Sequence, residues 1–169
     1  MEVLDLKLER LISISSELGE LLKEKDLSFT CAESCTGGWV SQAITSVAGC
    51  SEWFSASFVT YSYEAKTSIL GVSSKDLDKF GAVSEEIVKQ MVSGAINKTG
   101  ADVGVGITGI AGPTGATDSK PLGTVCFAWQ INDCSTVSGT EFFIGGRNQV
   151  RYLSVEKALL GTINLLKEI

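Results

Sequence analysis

Apolar residues recur along this chain in two alternating patterns. One has the spacing of an amphipathic helix, and it predicts helices over residues 3–25, 38–48, 64–70, 84–98 and 148–167. Between the helices, short runs rich in β-branched and aromatic residues predict strands over residues 27–32, 57–63, 101–108, 123–130 and 140–144. Strands that alternate with helices and end in a hairpin-like pair are typical of α/β proteins. We therefore expect one domain over residues 1–169, a three-layer α/β sandwich with a mixed central sheet.

The composition narrows the function of this domain without defining it. A chain of 169 residues buries a substantial core, and its net charge of -6 with a pI of about 4.7 argues against a nucleic-acid partner. No apolar run approaches the roughly 18 residues of a membrane span, and the N-terminus lacks the apolar segment of a signal peptide. We expect a cytoplasmic protein with no membrane partner. Because there are five cysteines and no histidine, we expect reduced, mostly buried thiols and no metal site.

The most informative segment joins the first predicted strand to the second predicted helix. The run Leu27–Cys31 stops at the sequence AESCTGG, residues 32–38, and helical spacing starts at once. Ser34, in the middle of this turn, is expected to lie beside backbone N–H groups that the helix leaves unpaired. Such a geometry suits either a nucleophile next to an anion-stabilising pocket or a phosphate next to a helix N-terminus.

A serine nucleophile in this chain needs a base other than histidine, because the sequence contains none. Lysine, or a tyrosine that relays to a lysine, is the remaining choice. Tyr61 lies in the second predicted strand and Lys66 lies at the turn after it, so Ser34 and Lys66 leave the same sheet edge if these two strands are neighbours. The alternative interpretation is a surface lysine and a core aromatic residue. A second serine–lysine spelling, residues 154–157, falls within the last predicted helix and is set aside.

A glycine pattern at residues 104–109 matches the G-x-G-x-x-G dinucleotide fingerprint in its letters only. That fingerprint requires a helix directly after the glycines and an acidic residue about 20 positions on, and this chain has neither. Residues 108–123 are expected to form a long glycine-rich loop instead. Its glycines either permit turns alone or let the backbone approach a ligand and bind an anion through successive N–H groups.

Two arginines open the last predicted helix. Arg147 and Arg151 are one turn apart, so they share a face of that helix. They are either two solvated side chains or a phosphate clamp beside the helix N-terminus.

Five motifs occur together in one order, and their combination is specific. By these motifs the chain resembles the CinA C-terminal domain family, in particular its stand-alone nicotinamide-mononucleotide amidohydrolases. The resemblance extends over residues 10–165. The motifs are AESCTGG (32–38), FVTYS followed by AK (58–66), GAVSE (81–85), GITGIAGP (106–113) and KPLGTV (120–125).

The resemblance implies hydrolysis of the carboxamide of a pyridine mononucleotide, with no cofactor. It implies that Ser34 is the nucleophile and that Tyr61 and Lys66 activate it. It also implies a homodimer or a higher homo-oligomer, for which we expect a contact through the first helix. The residues that would surround the substrate or the developing oxyanion are Thr36, Gly37, Gly38, Thr108, Gly109, Gly112 and Arg147.

Three other functions stay open on the sequence. The same fold could be a catalytically silent nucleotide- or phosphate-binding module, or an amidohydrolase for another small amide. A structural or competence-associated role is a third option, although the sequence offers no exposed apolar run for a partner.

Overall fold

A computed structural model describes residues 3–132, 134 and 136–169 of the chain. In these residues helices and strands alternate through most of the chain. The helices are α1 (Val3–Glu24), α2 (Trp39–Thr45), α3 (Tyr63–Leu70), α4 (Ser74–Phe80), α5 (Glu85–Thr99) and α6 (Arg147–Lys167), with a 3-10 turn at Cys50–Glu52. The strands are β1 (Phe29–Glu33), β2 (Phe54–Val59), β3 (Val103–Gly109), β4 (Thr124–Ile131) and β5 (Val137–Phe142).

The five strands form one mixed sheet in the order β2-β1-β3-β4-β5. Strands β2, β1 and β3 are parallel, whereas β4 and β5 run antiparallel to their neighbours. Every residue of β1 is buried, because β1 has a strand on each side and a helical layer on each face. Strands β1 and β2 are parallel neighbours and end at the same edge of the sheet, which meets the condition under which the sequence brings Ser34 and Lys66 together.

Helices cover both faces of the sheet, which confirms the predicted α/β sandwich. Helices α1, α2 and α6 pack on one face around Leu11, Leu18, Ile44 and Leu159. Helices α3, α4 and α5 pack on the other face in two smaller clusters. No helix among the described residues is both long enough and apolar enough to span a bilayer.

Several element boundaries differ from the predictions. Strand β2 ends at Val59 rather than at residue 63, so Tyr61 lies after the strand and not within it. The last strand occupies Val137–Phe142 rather than residues 140–144. The sequence pattern missed α4, because Leu77 is its only buried residue and leaves no helical periodicity to detect.

The glycines of the false dinucleotide fingerprint have a packing role. A Cβ at Gly106 would lie 2.8 Å from the Val88 carbonyl oxygen, and a Cβ at Gly104 would lie 2.9 Å from a Val92 methyl group. These glycines let α5 lie directly on β3. The chain then enters a loop and the antiparallel strand β4 rather than a helix, which excludes the dinucleotide-binding arrangement.

Candidate active site

Ser34 lies at the carboxyl end of the central strand β1. Its N–H donates to the Ile107 carbonyl at 3.0 Å, which extends the pairing with β3 by one residue, and its side chain is almost buried. Residues 34–38, here called the Ser34 turn, then reverse the chain into α2. Gly37 and Gly38 have φ values of 62° and 92°, a left-handed conformation that L-residues with a side chain rarely adopt. The two glycines therefore allow the serine to sit directly beneath a helix N-terminus.

Lys66 lies on the first turn of α3 and reaches Ser34. Ser62 caps this helix, since its hydroxyl accepts from the Ala65 N–H. The Lys66 side chain is fully buried, and its Nζ lies 3.1 Å from Ser34 Oγ. The amine also lies 2.6 Å from the Thr60 carbonyl oxygen and 3.4 Å from that of Tyr61. The predicted meeting of Ser34 and Lys66 at one sheet edge is thus present in the structure.

The surroundings of Lys66 raise the neutral fraction of its amine. Among the described residues no carboxylate is hydrogen-bonded or ion-paired to Nζ, and burial lowers the pKa of Lys66 from 10.5 to about 8. A neutral amine has two N–H donors and one lone pair. In the structure Nζ donates to Ser34 Oγ and to the two carbonyls; after loss of one proton, two N–H groups remain for the carbonyls and the lone pair faces the Ser34 hydroxyl. At pH 7.4 about one fifth of such lysines are neutral, against about 0.1% at the ordinary pKa.

Glu33 is a fully buried carboxylate directly before Ser34. Its side chain accepts hydrogen bonds from the N–H groups of Gly38 at 2.9 Å, Val40 at 3.2 Å and Ser41 at 3.0 Å. It thereby caps α2 from the preceding strand, since the residue at the cap position, Gly38, has no side chain that could do so. The Ser57 hydroxyl on β2 donates to the same carboxylate at 3.3 Å.

Arg151 holds the opposite side of the Ser34 turn. Its Nε donates to the Cys35 carbonyl at 3.2 Å and one terminal nitrogen donates to the Thr36 carbonyl at 2.8 Å. The guanidinium also lies over the Trp39 ring at 5.3 Å. Arg151, a candidate phosphate ligand on the sequence, is therefore bound to the main chain beside Ser34.

Tyr61 and Arg147 lie together at the mouth of the site. Tyr61 is 60% exposed, and its hydroxyl accepts from Arg147 at 3.2 Å. Arg147 also donates to the Gly112 carbonyl at 2.7 Å, which ties the glycine-rich loop to the start of α6. In the part of the chain that the structure describes, no hydrogen bond joins the Tyr61 hydroxyl to Ser34 or Lys66. The predicted activation of Ser34 by the Tyr61 side chain therefore stays a prediction.

The remaining candidate residues divide into several roles. The Thr108 hydroxyl donates to the Ala82 carbonyl at 2.9 Å, and Gly109 packs against β4, where a Cβ would lie 2.8 Å from a Val125 methyl group. The Gly37 N–H donates to the Ser34 carbonyl and the Gly38 N–H donates to Glu33. By contrast, the Thr36 N–H has no acceptor among the described residues, and the Cys35 N–H contacts only the thiol of its own side chain there. The Thr36 hydroxyl is also buried, without a partner in the described part of the chain.

Two open cavities lie at segments that adjoin the candidate site in the sequence or the fold. One of about 310 Å³ is lined by Gly37, Gly38, Trp39 and Arg151, and one of about 370 Å³ is lined by Tyr63, Gly81, Ile110 and Lys120, among others. Two larger cavities lie elsewhere, beside β5 and α6 and at the start of α5. Neither Ser34 nor Lys66 lines any of these four cavities.

Sequence reasoning missed two contributions to this site. Glu33 had no predicted role, although a carboxylate between buried residues and a glycine-rich turn that lacks a capping side chain is a usable signal. The Thr60 carbonyl, which accepts from Lys66, could not be found because a backbone atom carries no signal in the residue type.

A serine at the end of a central strand, within hydrogen-bond distance of a buried lysine, defines a candidate serine–lysine site. Such pairs are one variant of the nucleophile-and-base arrangement of acyl-transfer enzymes. A model of the CinA C-terminal domain matches residues 11–166, so the chain belongs to the CinA C-terminal domain family.

Curated relatives of similar length carry one name. The nicotinamide-nucleotide amidohydrolase PncC of Enterobacter agglomerans is 48% identical over 143 residues, covering 85% of this chain and 87% of that protein. The protein of the same name from Escherichia coli strain K12 is 45% identical over 149 residues, covering 88% and 90%.

Solved structures share the fold over almost the whole chain. The competence damage-inducible protein A from Klebsiella pneumoniae superposes with a TM-score of 0.90 at 34% identity, covering 93% of this chain and 97% of that chain. The competence/damage inducible protein from Agrobacterium tumefaciens gives a TM-score of 0.88 at 35% identity, covering 92% and 94%.

Proposed function

We propose that this protein hydrolyses the carboxamide of nicotinamide mononucleotide, giving nicotinate mononucleotide and ammonia. The observation that carries the proposal is the 3.1 Å contact between Lys66 Nζ and Ser34 Oγ, formed by a buried lysine whose pKa is lowered to about 8. The substrate follows from the relatives that cover most of the chain at 45–48% identity and are named nicotinamide-nucleotide amidohydrolase.

The reaction would proceed through an acyl-enzyme. Ser34 Oγ attacks the carboxamide carbon while neutral Lys66 takes the hydroxyl proton. The C–N bond then breaks, and the protonated lysine returns that proton to the departing ammonia. Water next attacks the ester with Lys66 again as the base, which releases the nicotinate acid and restores Ser34.

The oxyanion of each tetrahedral intermediate would be held by backbone N–H groups. We assign this role to Cys35 and Thr36, since neither N–H donates to another residue among those described and the Cys35 N–H contacts only its own thiol. The earlier expectation extended to Gly37 and Gly38, whose N–H groups already donate to Ser34 and Glu33. One such donor typically contributes about 3 kcal/mol to transition-state stabilisation.

The rest of the nucleotide would lie over the open surface next to the pair. Tyr61 presents an exposed ring for the pyridine, and Arg147 presents a cation held between Tyr61 and Gly112. Tyr61 links Lys66 to Arg147, because its carbonyl accepts from Lys66 and its hydroxyl accepts from Arg147. The distance between the lysine amine and the arginine is therefore about the length of a tyrosine side chain. We propose that Arg147 binds the phosphate.

A substrate panel tests this function. Purified protein would be incubated with nicotinamide mononucleotide, nicotinamide riboside, free nicotinamide and glutamine, and ammonia and acid would be quantified. We expect equimolar ammonia and nicotinate mononucleotide from the mononucleotide and at least tenfold slower turnover of the others. Hydroxylamine should divert part of the product to the hydroxamate, because it competes with water for an acyl-enzyme. Preference for another amide would reject the substrate, and binding without turnover would leave a silent binding module.

The predicted homo-oligomer and its contact through α1 also stay proposals. Leu11, Leu18 and Leu22 of α1 are buried in the core, whereas Leu6 of the same helix is exposed. Light scattering coupled to size-exclusion chromatography measures the mass directly, and a monomer would end the proposal.

A further inference from the structure

We propose that Glu33 and Arg151 are positioning residues that clamp the Ser34 turn from opposite sides and so set the oxyanion-binding N–H groups. This inference deepens the proposed amidase and rests on it. Neither residue needs to touch the substrate in this role. The clamp acts on the main chain of residues 35–41, and its effect on the reaction passes through Ser34 and the N–H groups of Cys35 and Thr36.

On the Glu33 side of the clamp, the carboxylate accepts from the N–H donors at the start of α2. Gly38, Val40 and Ser41 all donate to this one buried carboxylate. The start of α2 is thereby fixed to β1, the strand that ends directly before Ser34. Because these N–H groups are taken by an internal anion, the N-terminus of α2 is closed to a substrate phosphate. The phosphate must bind elsewhere, which agrees with an assignment to Arg147.

The Glu33 backbone extends the clamp to the base. Its carbonyl accepts from the Thr60 N–H at 2.9 Å, and the Thr60 carbonyl in turn accepts from Lys66 Nζ at 2.6 Å. The residue before the nucleophile therefore contacts both the turn that carries Ser34 and the segment that orients Lys66. A displacement of Glu33 would change both partners of the pair together.

The Arg151 side of the clamp fixes the direction of two peptide groups. The peptides that join residues 35 to 36 and 36 to 37 are trans, so each N–H points opposite to its C=O. Arg151 draws the Cys35 and Thr36 carbonyls towards α6. The Thr36 N–H is thereby turned away from Arg151 and left free of an internal acceptor. A rotated peptide would remove a donor from the oxyanion, which is why this contact matters for turnover.

Two substitutions test the clamp through kcat and KM. Glu33→Gln replaces an oxygen acceptor by an NH2 group that faces N–H donors, and Arg151→Gln removes the donors to both carbonyls. We expect each to lower kcat about 100-fold with KM for nicotinamide mononucleotide changed less than threefold, since small displacements of reacting groups have effects of this size. Arg147→Gln is the contrasting variant, for which we expect KM to rise at least tenfold.

Glu85→Gln is the matched control for a carboxylate at a helix start. Glu85 begins α5 and accepts from the Ser138 and Thr140 hydroxyls, far from Ser34 in the fold. We expect its kcat to stay within twofold of the parent. A kcat loss in Glu85→Gln equal to that in Glu33→Gln would mean general destabilisation and would overturn the clamp.

The rate of Ser34 phosphonylation by a fluorophosphonate gives a readout that does not depend on the natural substrate. In this step the Ser34 oxygen bonds to phosphorus, fluoride leaves and Lys66 takes the proton. We expect both clamp variants to react at least tenfold more slowly than the parent. If the parent is labelled but does not hydrolyse the mononucleotide, the proposed function fails and this rate still tests the clamp. If Glu33→Gln does not fold, Arg151→Gln decides, and a KM rise at unchanged kcat and labelling would assign Arg151 to substrate binding.

Discussion

Two serine–lysine pairs in this chain differ in whether their side chains meet in the fold. Ser154 and Lys157 are three residues apart within α6, whereas Ser34 and Lys66 are 32 residues apart and belong to different strand–helix units. The close pair never meets, because the Ser154 hydroxyl donates to the Val150 carbonyl and Lys157 forms an ion pair with Glu141 in solvent. The distant pair meets at 3.1 Å in a buried setting. Whether a serine and a lysine meet in this chain depends on sheet topology, not on their spacing in the sequence.

The largest expected difference in rate between the two pairs comes from replacing each serine in turn by alanine. Ser34→Ala should lower ammonia release by about four orders of magnitude or more, since removal of a nucleophile has effects of this size. Ser154→Ala should leave the rate within twofold, because its hydroxyl bonds only to its own helix. Retained activity in Ser34→Ala, checked for contaminating amidase by a second purification, would reject the covalent mechanism.

The two lysines offer the second test. Lys66→Met should lower kcat about 1000-fold, within the range for loss of a general base, while Lys157→Met should change it less than twofold. Methionine keeps the length of the aliphatic chain, so the comparison isolates the amine. Equal losses in both variants would show that charge or stability, rather than the base, limits the rate.

The pH profile sharpens the contrast further. The base must be neutral to accept the serine proton, and burial lowers the pKa of Lys66 to about 8. We expect kcat/KM to fall about tenfold per pH unit below pH 8 and to level off above it. Circular dichroism over the same range controls for unfolding. A profile that still rises towards pH 10 would mean that Lys66 keeps the pKa of an exposed lysine.

The smallest expected effect concerns stability. Between the folded pKa of about 8 and the ordinary value of 10.5, the unfolded chain binds more protons at Lys66 than the folded chain does. The contribution of Lys66 to the free energy of unfolding is thus complete above pH 10.5 and is lost as the pH falls through 8. The free energy of unfolding differs by about 3 kcal/mol between these two limits.

Urea denaturation at pH 7.5 and pH 10 would measure this contribution. We expect the difference in unfolding free energy between the two pH values to be smaller in Lys66→Met than in the parent. Lys157→Met, which removes a half-exposed lysine, should keep the difference of the parent. An equal difference in unfolding free energy for the two variants would contradict a buried Lys66 amine with a lowered pKa.

The sequence was sufficient for the parts of the fold that depend on periodicity. The strand–turn–helix at Ser34 follows from a buried run and glycines, whereas the sequence left open whether β1 and β2 are neighbours, and the structure shows that they are. The sequence pattern predicts Tyr61 in a strand, because aromatic and β-branched residues continue past Val59. In the structure the backbone leaves the sheet at Thr60, one residue after the last strand pairing.

The contacts that complete the site depend on tertiary placement. Glu33 has the residue type of a surface charge, and only its burial beneath α2 makes it a cap. The sequence left Arg151 as either a solvated side chain or part of a phosphate clamp, and only its position relative to the Ser34 turn directs it to the main chain. Such assignments require the relative positions of α6 and α2, which no local pattern encodes.

The main-chain contacts of Lys66 have an evolutionary consequence. Its amine is held by the carbonyls of Thr60 and Tyr61, and these acceptors persist whatever side chain a point mutation places at either position. Loss of the proposed base therefore requires a change at Lys66 itself, because substitutions at positions 60 and 61 keep both carbonyl acceptors. A lineage that replaces Tyr61 would lose the contribution proposed for its side chain while the lysine stays anchored, so the two contributions can diverge separately among descendants.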